Sequence, residues 1–472
     1  MNEEKVILHL GLGSFHRAHQ AVYLQQLHQL GDTEWTLVGG NIRPDMLDTI
    51  AALQASNGAY TLETVASNGQ CDYTRITAIQ RVLGYVPDLA NLIAQGARAQ
   101  TRIISFTVTE AGYYLDAQHH LDLSFADLTH DVEAARRGKL NPQGSTIYGA
   151  LTAILRARMQ ANAGPVTLLN CDNLRHNGER FRQGLLEFLA LAQQADLLVW
   201  VQANTTCPNA MVDRITPRPT AAVRARVLRA TGVDDSAAVM GERFIQWVIE
   251  DHFAAGRPAW ENVGAQMVDS VVPFEEAKIR LLNATHSCIA WAGTLAGFLF
   301  IHEGTRDAQI RQFSYDYVTD DVIPVLQRAS APSPVDLPAY RDVVLDRFAN
   351  AALADTNQRV AMDGFSKIPG FIVPTIAERL ARGESIDSVA MLPALFLAYL
   401  QRWHVGAIPY EYQDQAMDPA AAHAICAAGD SIAAFAANAA LWGALANDGR
   451  LIEALRRASA RVAEFSASRQ TA

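Results

Sequence analysis

The stretch Lys5-Val6-Ile7-Leu8-His9-Leu10-Gly11-Leu12-Gly13-Ser14-Phe15-His16 decides the fold of the first half of the chain. Its first six residues predict a buried strand, and the apolar spacing of Ala21, Leu24 and Leu27 predicts a helix after it. A strand, a glycine turn and a helix in this order open a dinucleotide-binding unit. Gly11 would permit the tight turn, and Gly13 would let the backbone approach a pyrophosphate at the helix N-terminus.

The turn departs from the usual dinucleotide-binding pattern, because His16 stands where a third glycine is expected. A purely structural turn packed by histidines is therefore the alternative to a nucleotide site. His9, His16 and His19 lie close in sequence, but a metal site needs at least three ligands in good geometry, and no acidic partner is near. We therefore predict no metal.

The second predicted strand, Trp35–Gly40, does not end in the acidic residue that usually binds the ribose hydroxyls. Asn41 follows it and could hydrogen-bond a ribose hydroxyl. Arg43 could instead meet the 2′-phosphate of NADP. This stretch therefore leaves the choice between NAD and NADP open.

Further strand patterns alternate with helical ones, which predicts a largely parallel sheet. These strand predictions are Arg102–Val108, Pro165–Leu169 and Leu197–Gln202. Ligands of such sheets bind beyond the carboxyl ends of the strands. The polar residues at those ends are Glu110, Asn173 and Asn204, for which helix capping or turn formation is the alternative role.

Composition narrows the class of protein. The chain has 472 residues, of which 50% are hydrophobic and 19% charged, so we expect a globular protein of two or three domains. Its net charge of −10 argues against nucleic acid or an anionic membrane as partner. The 5 cysteines are scattered without a CxxC spacing, and we find neither a signal peptide nor a membrane-spanning apolar run. We therefore expect a cytoplasmic location.

The second half of the chain has a different character. Residues 242–253 predict a last helix of the first half, and helical spacing dominates from residue 275 onwards. We therefore predict an α/β fold, with an N-terminal Rossmann-type domain over residues 1–270 and a mostly α-helical C-terminal domain over residues 271–472.

One helix of the second half carries a chemically specific set of side chains. Ile279, Leu282 and Ile289 give its apolar spacing. Around an α-helix, Lys278, Asn283 and His286 fall at about 0°, 140° and 80°, within one broad sector. An amine base, an amide donor and an imidazole donor are what the oxidation of an alcohol to a ketone requires. A solvated helix face is the alternative interpretation.

Taken together, these motifs resemble the mannitol dehydrogenase family, the polyol-specific long-chain dehydrogenases. The matching stretches run in order over some 360 residues. They are Gly11–His19, Thr109–Tyr113, Asn170–Asn173, Met211–Pro217, the helix with Lys278, Asn283 and His286, and Arg359–Pro369.

The resemblance implies a mechanism without metal. Lys278 resembles the general base, and burial would lower the pKa of such an amine from its usual value of about 10.4. Asn173 and Asn283 resemble the pair that stabilises the alkoxide oxygen, and His286 resembles a further ligand of that oxygen. Glu275 resembles a proton-relay residue. The groups that would hold the polyol hydroxyls are Asp213, Arg359 and Lys367.

The resemblance also implies the ligands. We expect NAD as cofactor, with NADP not excluded, and a polyol or ketose as the partner of a monomer or weak homo-oligomer. The predicted cofactor-binding residues are Gly11, Gly13, Ser14, Phe15, His16, Asn41, Arg43 and Glu110. The segments Gly11–Tyr23, Leu168–Arg180 and Val271–Thr294 resemble most the members that oxidise D-arabinitol to D-xylulose. The alternatives are oxidation of D-mannitol to D-fructose, reduction of a hexuronate, and a nucleotide sensor without turnover.

Overall fold

The computed structural model describes residues 4–116, 118–141 and 146–470 and divides the chain into two compact units. The first unit comprises Met1–Ala66 with Gln70–Val272, and the second comprises Ser67–Gly69 with Pro273–Ala472. Within the described residues, every strand lies in the first unit, and the second is helical. The predicted fold class, a Rossmann-type domain followed by a helical one, is therefore confirmed.

The first unit is built on a parallel sheet of six strands in the order β5-β2-β1-β6-β7-β8. In chain order these strands are β1 (Lys5–Leu10), β2 (Trp35–Gly40), β5 (Ile79–Leu83), β6 (Thr101–Phe106), β7 (Val166–Asn170) and β8 (Thr205–Thr206). The strand order reverses at β1, which lies between β2 and β6. A ligand of such a sheet binds at this switch point, beyond the carboxyl ends of the strands.

Alternate residues of β1 enter two different cores, as the pleat of a strand requires. Val6, Leu8 and Leu10 pack in a core that includes Leu151 of a neighbouring helix. Ile7 packs on the other face in a core that includes Trp247. Because both faces of the strand are buried, it has the continuous apolar sequence that is typical of parallel sheets.

Two three-stranded sheets complete the first unit, in the orders β10-β3-β4 and β12-β11-β9. Their strands are β3 (Tyr60–Val65), β4 (Cys71–Ile76), β9 (Ala210–Asp213), β10 (Val239–Glu242), β11 (Gln246–Glu250) and β12 (Gln266–Val268). The helix predicted over residues 242–253 is therefore wrong, because this segment ends β10 and contains β11.

The strand predicted at Leu197–Gln202 is also wrong, because this segment lies within the helix Ala195–Asn204. The other α-helices that begin in the first unit are Ser14–Ala18, Gln20–Gln29, Leu47–Ala55, Ala90–Gly96, Ala126–Arg136, Ile147–Gln160, Asn177–Leu191, Ala221–Thr231 and Val272–Ala277. Short 3₁₀ helices span Glu110–Tyr113 and Trp260–Val263.

The second unit packs helices around Ala284–Leu295, in which every residue except His286 is buried. The other α-helices are Ile301–Arg306, Ala308–Asp316, Ile323–Gln327, Leu337–Phe348, Asn357–Ala361, Gly364–Lys367, Val373–Ala381, Met391–His404, Pro419–Ala427, Ser431–Ala436, Ala439–Trp442 and Gly449–Gln470. Segments of π-helix span Lys278–Asn283, Tyr317–Val322 and Ile368–Ile372, and 3₁₀ turns span Ala351–Leu353 and Gly443–Leu445. No helix among the described residues has the length and apolarity needed to cross a membrane.

Candidate active site

The glycine turn follows β1 as predicted. Gly11 has a φ of +103° and donates its N–H to the carbonyl of Gly40 over 2.9 Å, and a Cβ on Gly11 would lie 3.0 Å from the carbonyl oxygen of Thr107. A side chain at this position would therefore be strained and crowded. A Cβ on Gly13 would have no neighbour closer than 4.0 Å, so the turn presents bare backbone. This arrangement fits the approach of a pyrophosphate.

His16, at the position of the third glycine, packs beneath the turn. Its ring stacks on that of His9 with centroids 3.4 Å apart, and His9 Nδ1 lies 2.8 Å from Ser105 Oγ. Burial lowers the pKa of His9 to about 3 and holds the pKa of His16 well below its usual value. His16 as a whole residue is only 1% exposed, and its assignment to the cofactor stays a prediction. Ser14 and Phe15 begin the helix Ser14–Ala18, and their assignment to the cofactor stays a prediction.

Asn41 supports the turn from the end of β2. Its Oδ1 accepts the N–H of Leu12 over 2.9 Å, and its Nδ2 donates to both the backbone oxygen and Oδ1 of Asp45 over 3.2 Å. The loop after β2 thus folds back so that the exposed carboxylate of Asp45 lies next to Asn41. The end of β2 itself has no acidic residue. Arg43 donates to the hydroxyl of Tyr114 over 2.6 Å.

A buried carboxylate links the ends of β6 and β7. Asp172 Oδ1 accepts the N–H groups of Val108 and Thr109 over 2.9 and 2.8 Å, and its Oδ2 lies 3.2 Å from the hydroxyl of Tyr113. Thr109 has a φ of +65°, and Glu110 follows it at the start of the 3₁₀ turn. Burial raises the pKa of Asp172 to about 6, although these hydrogen bonds partly oppose the shift.

The remaining predicted residues of the first unit differ in exposure. Asn173 is exposed and directly follows Asp172 beyond the end of β7. Asp213 ends β9 and is only 5% exposed. The neighbouring Arg214 is also buried and donates to the carbonyls of Ala18 and Glu242, so neither of these two charged side chains lies on the solvated surface.

In the second unit, the predicted lysine helix contains a widened turn. The segment Lys278–Asn283 is a π-helix between the α-helices Val272–Ala277 and Ala284–Leu295. A π-helix bonds residue i to residue i+5, so the five-residue spacing of Lys278 and Asn283 is close to one full turn. The two side chains therefore leave the helix much closer together than the α-helical angle of about 140° predicts. Such turns occur frequently at functional sites.

The burial of these side chains excludes a solvated helix face. Lys278 is 6% exposed and Glu275 is 3% exposed, whereas Asn283 is partly exposed. A buried lysine and glutamate are rare outside functional or paired settings. The structure thus supports the chemical interpretation of this helix.

His286 belongs to a charged cluster with a residue that the sequence did not single out. Its Nε2 lies 3.2 Å from Oδ2 of Asp355, and its ring stacks on Phe348 with centroids 4.2 Å apart. Arg359 holds the same carboxylate through two hydrogen bonds of 2.7 and 2.6 Å. Lys367 donates its amine to the carbonyl of Val360 over 2.7 Å. Arg359 and Lys367 therefore lie on one short segment of the second unit, and His286 contacts this segment through Asp355.

The residues that sequence reasoning missed are all acidic. Asp45 lies in a loop that folds back, and Asp172 stands inside the recognised segment Asn170–Asn173. Asp355 precedes Arg359 by four residues, a spacing that is typical of ion pairs and could have indicated it. Within the described residues, no group of three or more His, Cys, Asp or Glu side chains could hold a metal ion.

Comparison with known proteins agrees with this fold. Residues 5–262 match the mannitol dehydrogenase Rossmann domain, and residues 270–463 match the mannitol dehydrogenase C-terminal domain. The chain belongs to the mannitol dehydrogenase family.

Curated relatives and solved structures cover nearly the whole chain. D-arabinitol 4-dehydrogenase of Ralstonia nicotianae is 59% identical over 98% of both chains, and that of Klebsiella pneumoniae is 52% identical over 97% of this chain and 98% of its own. The solved mannitol 2-dehydrogenase of Pseudomonas fluorescens, a ternary complex with NAD and D-mannitol, is 32% identical with a TM-score of 0.83. The structural match covers 99% of this chain and 94% of the mannitol 2-dehydrogenase chain.

Proposed function

We propose that this chain oxidises D-arabinitol to D-xylulose with NAD and without a metal ion. The observation that carries the reaction class is the buried Lys278 at the start of a π-turn that ends in Asn283. The substrate rests on the relatives: two D-arabinitol 4-dehydrogenases are 59% and 52% identical, whereas a mannitol 2-dehydrogenase of Phaeosphaeria nodorum is 37% identical over 84% of this chain.

The reaction needs a base and donors for a developing negative charge. In the proposal, neutral Lys278 takes the proton of the reacting hydroxyl, and Glu275 passes it on. Asn173 and Asn283 donate hydrogen bonds to the oxygen, each worth roughly 3–4 kcal/mol in the transition state, and His286 binds the same oxygen. The other hydroxyls are held by Asp213, Arg359 and Lys367. When bound, the nicotinamide cofactor supplies the acceptor for the hydride that leaves the carbinol carbon.

The loop after β2 supports NAD over NADP. Asp45 brings an exposed carboxylate next to Asn41, which itself supports the glycine turn. An acid at the end of the second strand accepts hydrogen bonds from the ribose hydroxyls of NAD and repels a 2′-phosphate. Arg43, the candidate for holding that phosphate, is already bonded to the hydroxyl of Tyr114.

A substrate panel tests the proposal. The purified chain should reduce NAD fastest with D-arabinitol when D-mannitol and D-sorbitol are compared at matched concentrations, and the ketose formed should be D-xylulose. Faster turnover of D-mannitol to D-fructose would favour the first alternative, and NADH oxidation with a hexuronate the second. Binding of NADH without turnover of any of these compounds would indicate a sensor. The variant Lys278→Ala is the control for contaminating activity.

The proposal also includes the cellular location and the oligomeric state of the enzyme. The five cysteines are free, which agrees with a cytoplasmic location. We expect a monomer or weak homo-oligomer. Light scattering at several protein concentrations tests this expectation, and a stable oligomer at the lowest concentration would contradict it.

A further inference from the structure

We propose that Asp355 is a positioning residue that orients two substrate-binding side chains at once, the imidazole of His286 and the guanidinium of Arg359. The inference rests on the roles proposed above for those two residues. Asp355 itself need not touch the substrate. Its carboxylate is the shared partner through which both side chains are held.

The backbone fixes the place of this carboxylate. The carbonyl of Asp355 accepts the N–H of Ile301 over 2.9 Å, and Thr356 pairs with Phe300 in an antiparallel bridge. The N–H of Asn357 donates to the carbonyl of Leu299 over 2.9 Å. The segment around Asp355 is thus bonded residue by residue to the chain that follows the helix of His286.

Both oxygens of the Asp355 carboxylate bind Arg359, and one of them also contacts His286. Oδ1 accepts Nε of Arg359, and Oδ2 accepts Nη2 of Arg359 and also contacts Nε2 of His286. A bidentate pair of this kind fixes the plane of the guanidinium and leaves its other N–H donors available for a ligand. The Arg359 side chain is 64% exposed, whereas that of Asp355 is 10% exposed. The carboxylate is therefore largely buried, while the guanidinium reaches the surface.

The charge state of the cluster follows from burial and from Arg359. Burial alone would raise the pKa of Asp355, but its bonds to His286 and Arg359 outweigh burial and hold that pKa well below its usual value. Burial lowers the pKa of His286, and Asp355 only partly opposes this. Near neutral pH the cluster is therefore an ionised Asp355, a charged Arg359 and a neutral imidazole.

A neutral imidazole next to a carboxylate has a defined tautomer. Nε2 lies 3.2 Å from the carboxylate of Asp355 but outside hydrogen-bond geometry, and it carries the ring proton, because two acceptors would otherwise face each other. The other ring nitrogen is then an acceptor, while stacking on Phe348 restrains the ring plane. Asp355 thus decides that Nε2 of His286 keeps the ring proton and offers a donor to the substrate oxygen, as Arg359 beside it also does.

Kinetics of Asp355→Asn and Asp355→Ala test the proposal. We expect KM for the polyol to rise and kcat/KM to fall by roughly 10–100-fold, by analogy with the loss caused by removing the carboxylate partner of a metal-bound histidine. The Kd of NADH, measured by fluorescence titration, should stay unchanged, because the cluster lies in the helical unit. The matched control is Asp387→Asn, which removes an Asp–Arg pair of the same unit, between Asp387 and Arg457, and should leave KM unchanged.

A double-mutant cycle separates positioning from a general loss of structure. If Asp355 acts through Arg359, then Asp355→Asn should cost much less in the Arg359→Ala background than in the wild type. Additive losses, or a kcat/KM of Asp355→Asn within about threefold of wild type against the range expected above, would overturn the proposal.

A readout without turnover distinguishes this proposal from the proposed function. In ¹⁵N-histidine-labelled protein, His286 should give the signals of one protonated and one unprotonated ring nitrogen, identified by their loss in His286→Asn. In Asp355→Ala we expect a mixture of tautomers. An unchanged ring signal would contradict the role of Asp355 even if the enzyme oxidises polyols. The expected change would support that role even if D-arabinitol is not the substrate.

Discussion

Tyr113 Oη lies 3.2 Å from Oδ2 of Asp172, and the same carboxylate accepts the N–H groups of Val108 and Thr109. The loop after β6 is thereby fastened to the end of β7, directly before Asn173. Two segments of the first unit that carry predicted site residues, Glu110 and Asn173, therefore depend on one buried acid.

This acid makes stability depend on pH. Because burial raises the pKa of Asp172 from 3.8 to about 6, the folded state binds the proton more tightly than the unfolded chain. Its contribution is therefore fully present below pH ~4 and is lost as pH rises through ~6, by at most about 3 kcal/mol for a shift of this size. Asp172→Asn cannot ionise but keeps an acceptor for the two backbone N–H groups.

Denaturant unfolding of wild type and Asp172→Asn at several pH values measures this effect. The wild type should lose stability relative to the variant as pH rises from 4 to 7. A constant difference between the two proteins over this range would show that Asp172 does not titrate there.

The cofactor preference should depend on Asp45. Asp45→Ala removes a carboxylate that would bind the ribose hydroxyls and repel a 2′-phosphate, so the ratio of kcat/KM for NAD over NADP should fall by roughly tenfold or more. Asp48→Ala, which removes an exposed acid three residues further on, is the matched control. An unchanged ratio in Asp45→Ala, or a wild type that prefers NADP, would contradict the assignment.

Activity should survive chelation, since the proposed mechanism uses a lysine and amide donors where other dehydrogenases use zinc. The measurement is the rate of polyol oxidation before and after dialysis against EDTA. Loss of activity that returns with added zinc would show that the mechanism requires a metal.

The sequence predicts the Rossmann-type core well because its signals are local. The strand Lys5–Leu10 and the glycine turn each follow from adjacent residues. The failure at Leu197–Gln202 has a physical reason, since a short apolar run fits a strand or a buried helix equally well. In the structure Leu197 and Val201, four residues apart, are buried, whereas Val199 is 64% exposed, which is a helical pattern.

The sequence predicts site residues only where a motif contains them, and it does not predict how they are arranged. The π-turn at Lys278–Asn283 was not predictable, because a widened turn depends on tertiary packing and not on the apolar spacing of the helix. The link between His286 and Asp355 was also hidden, since it joins residues 69 positions apart through the fold. Asp45 escaped notice because the loop that returns it to Asn41 leaves no periodic signal.

Asn283 should behave as a donor to the developing oxyanion. Asn283→Ala should lower kcat by roughly 10²–10³-fold, as loss of one such donor typically does. The rise of the rate with pH should remain, because the base is still present. A KM effect with unchanged kcat would instead show that Asn283 only binds the ground state of the substrate.

Lys278 should behave as the base. Lys278→Ala should lower kcat by roughly 10²–10⁴-fold, the usual cost of removing a general base, and leave the Kd of NADH nearly unchanged. Because Lys278 is 6% exposed, and burial disfavours the charged amine, the wild-type rate should rise with pH and level off well below pH ~10, where a free lysine titrates.

The pH dependence and chemical rescue distinguish this role from that of Asn283. In Lys278→Ala the rise of the rate with pH should vanish, and small primary amines that enter the space left by the side chain should restore part of the rate. The comparison is direct, because Lys278 and Asn283 are the first and last residues of the same π-turn. If Lys278→Ala keeps more than about a tenth of wild-type kcat, well above the range for a lost base, the proton is taken by another group and the proposed mechanism is wrong.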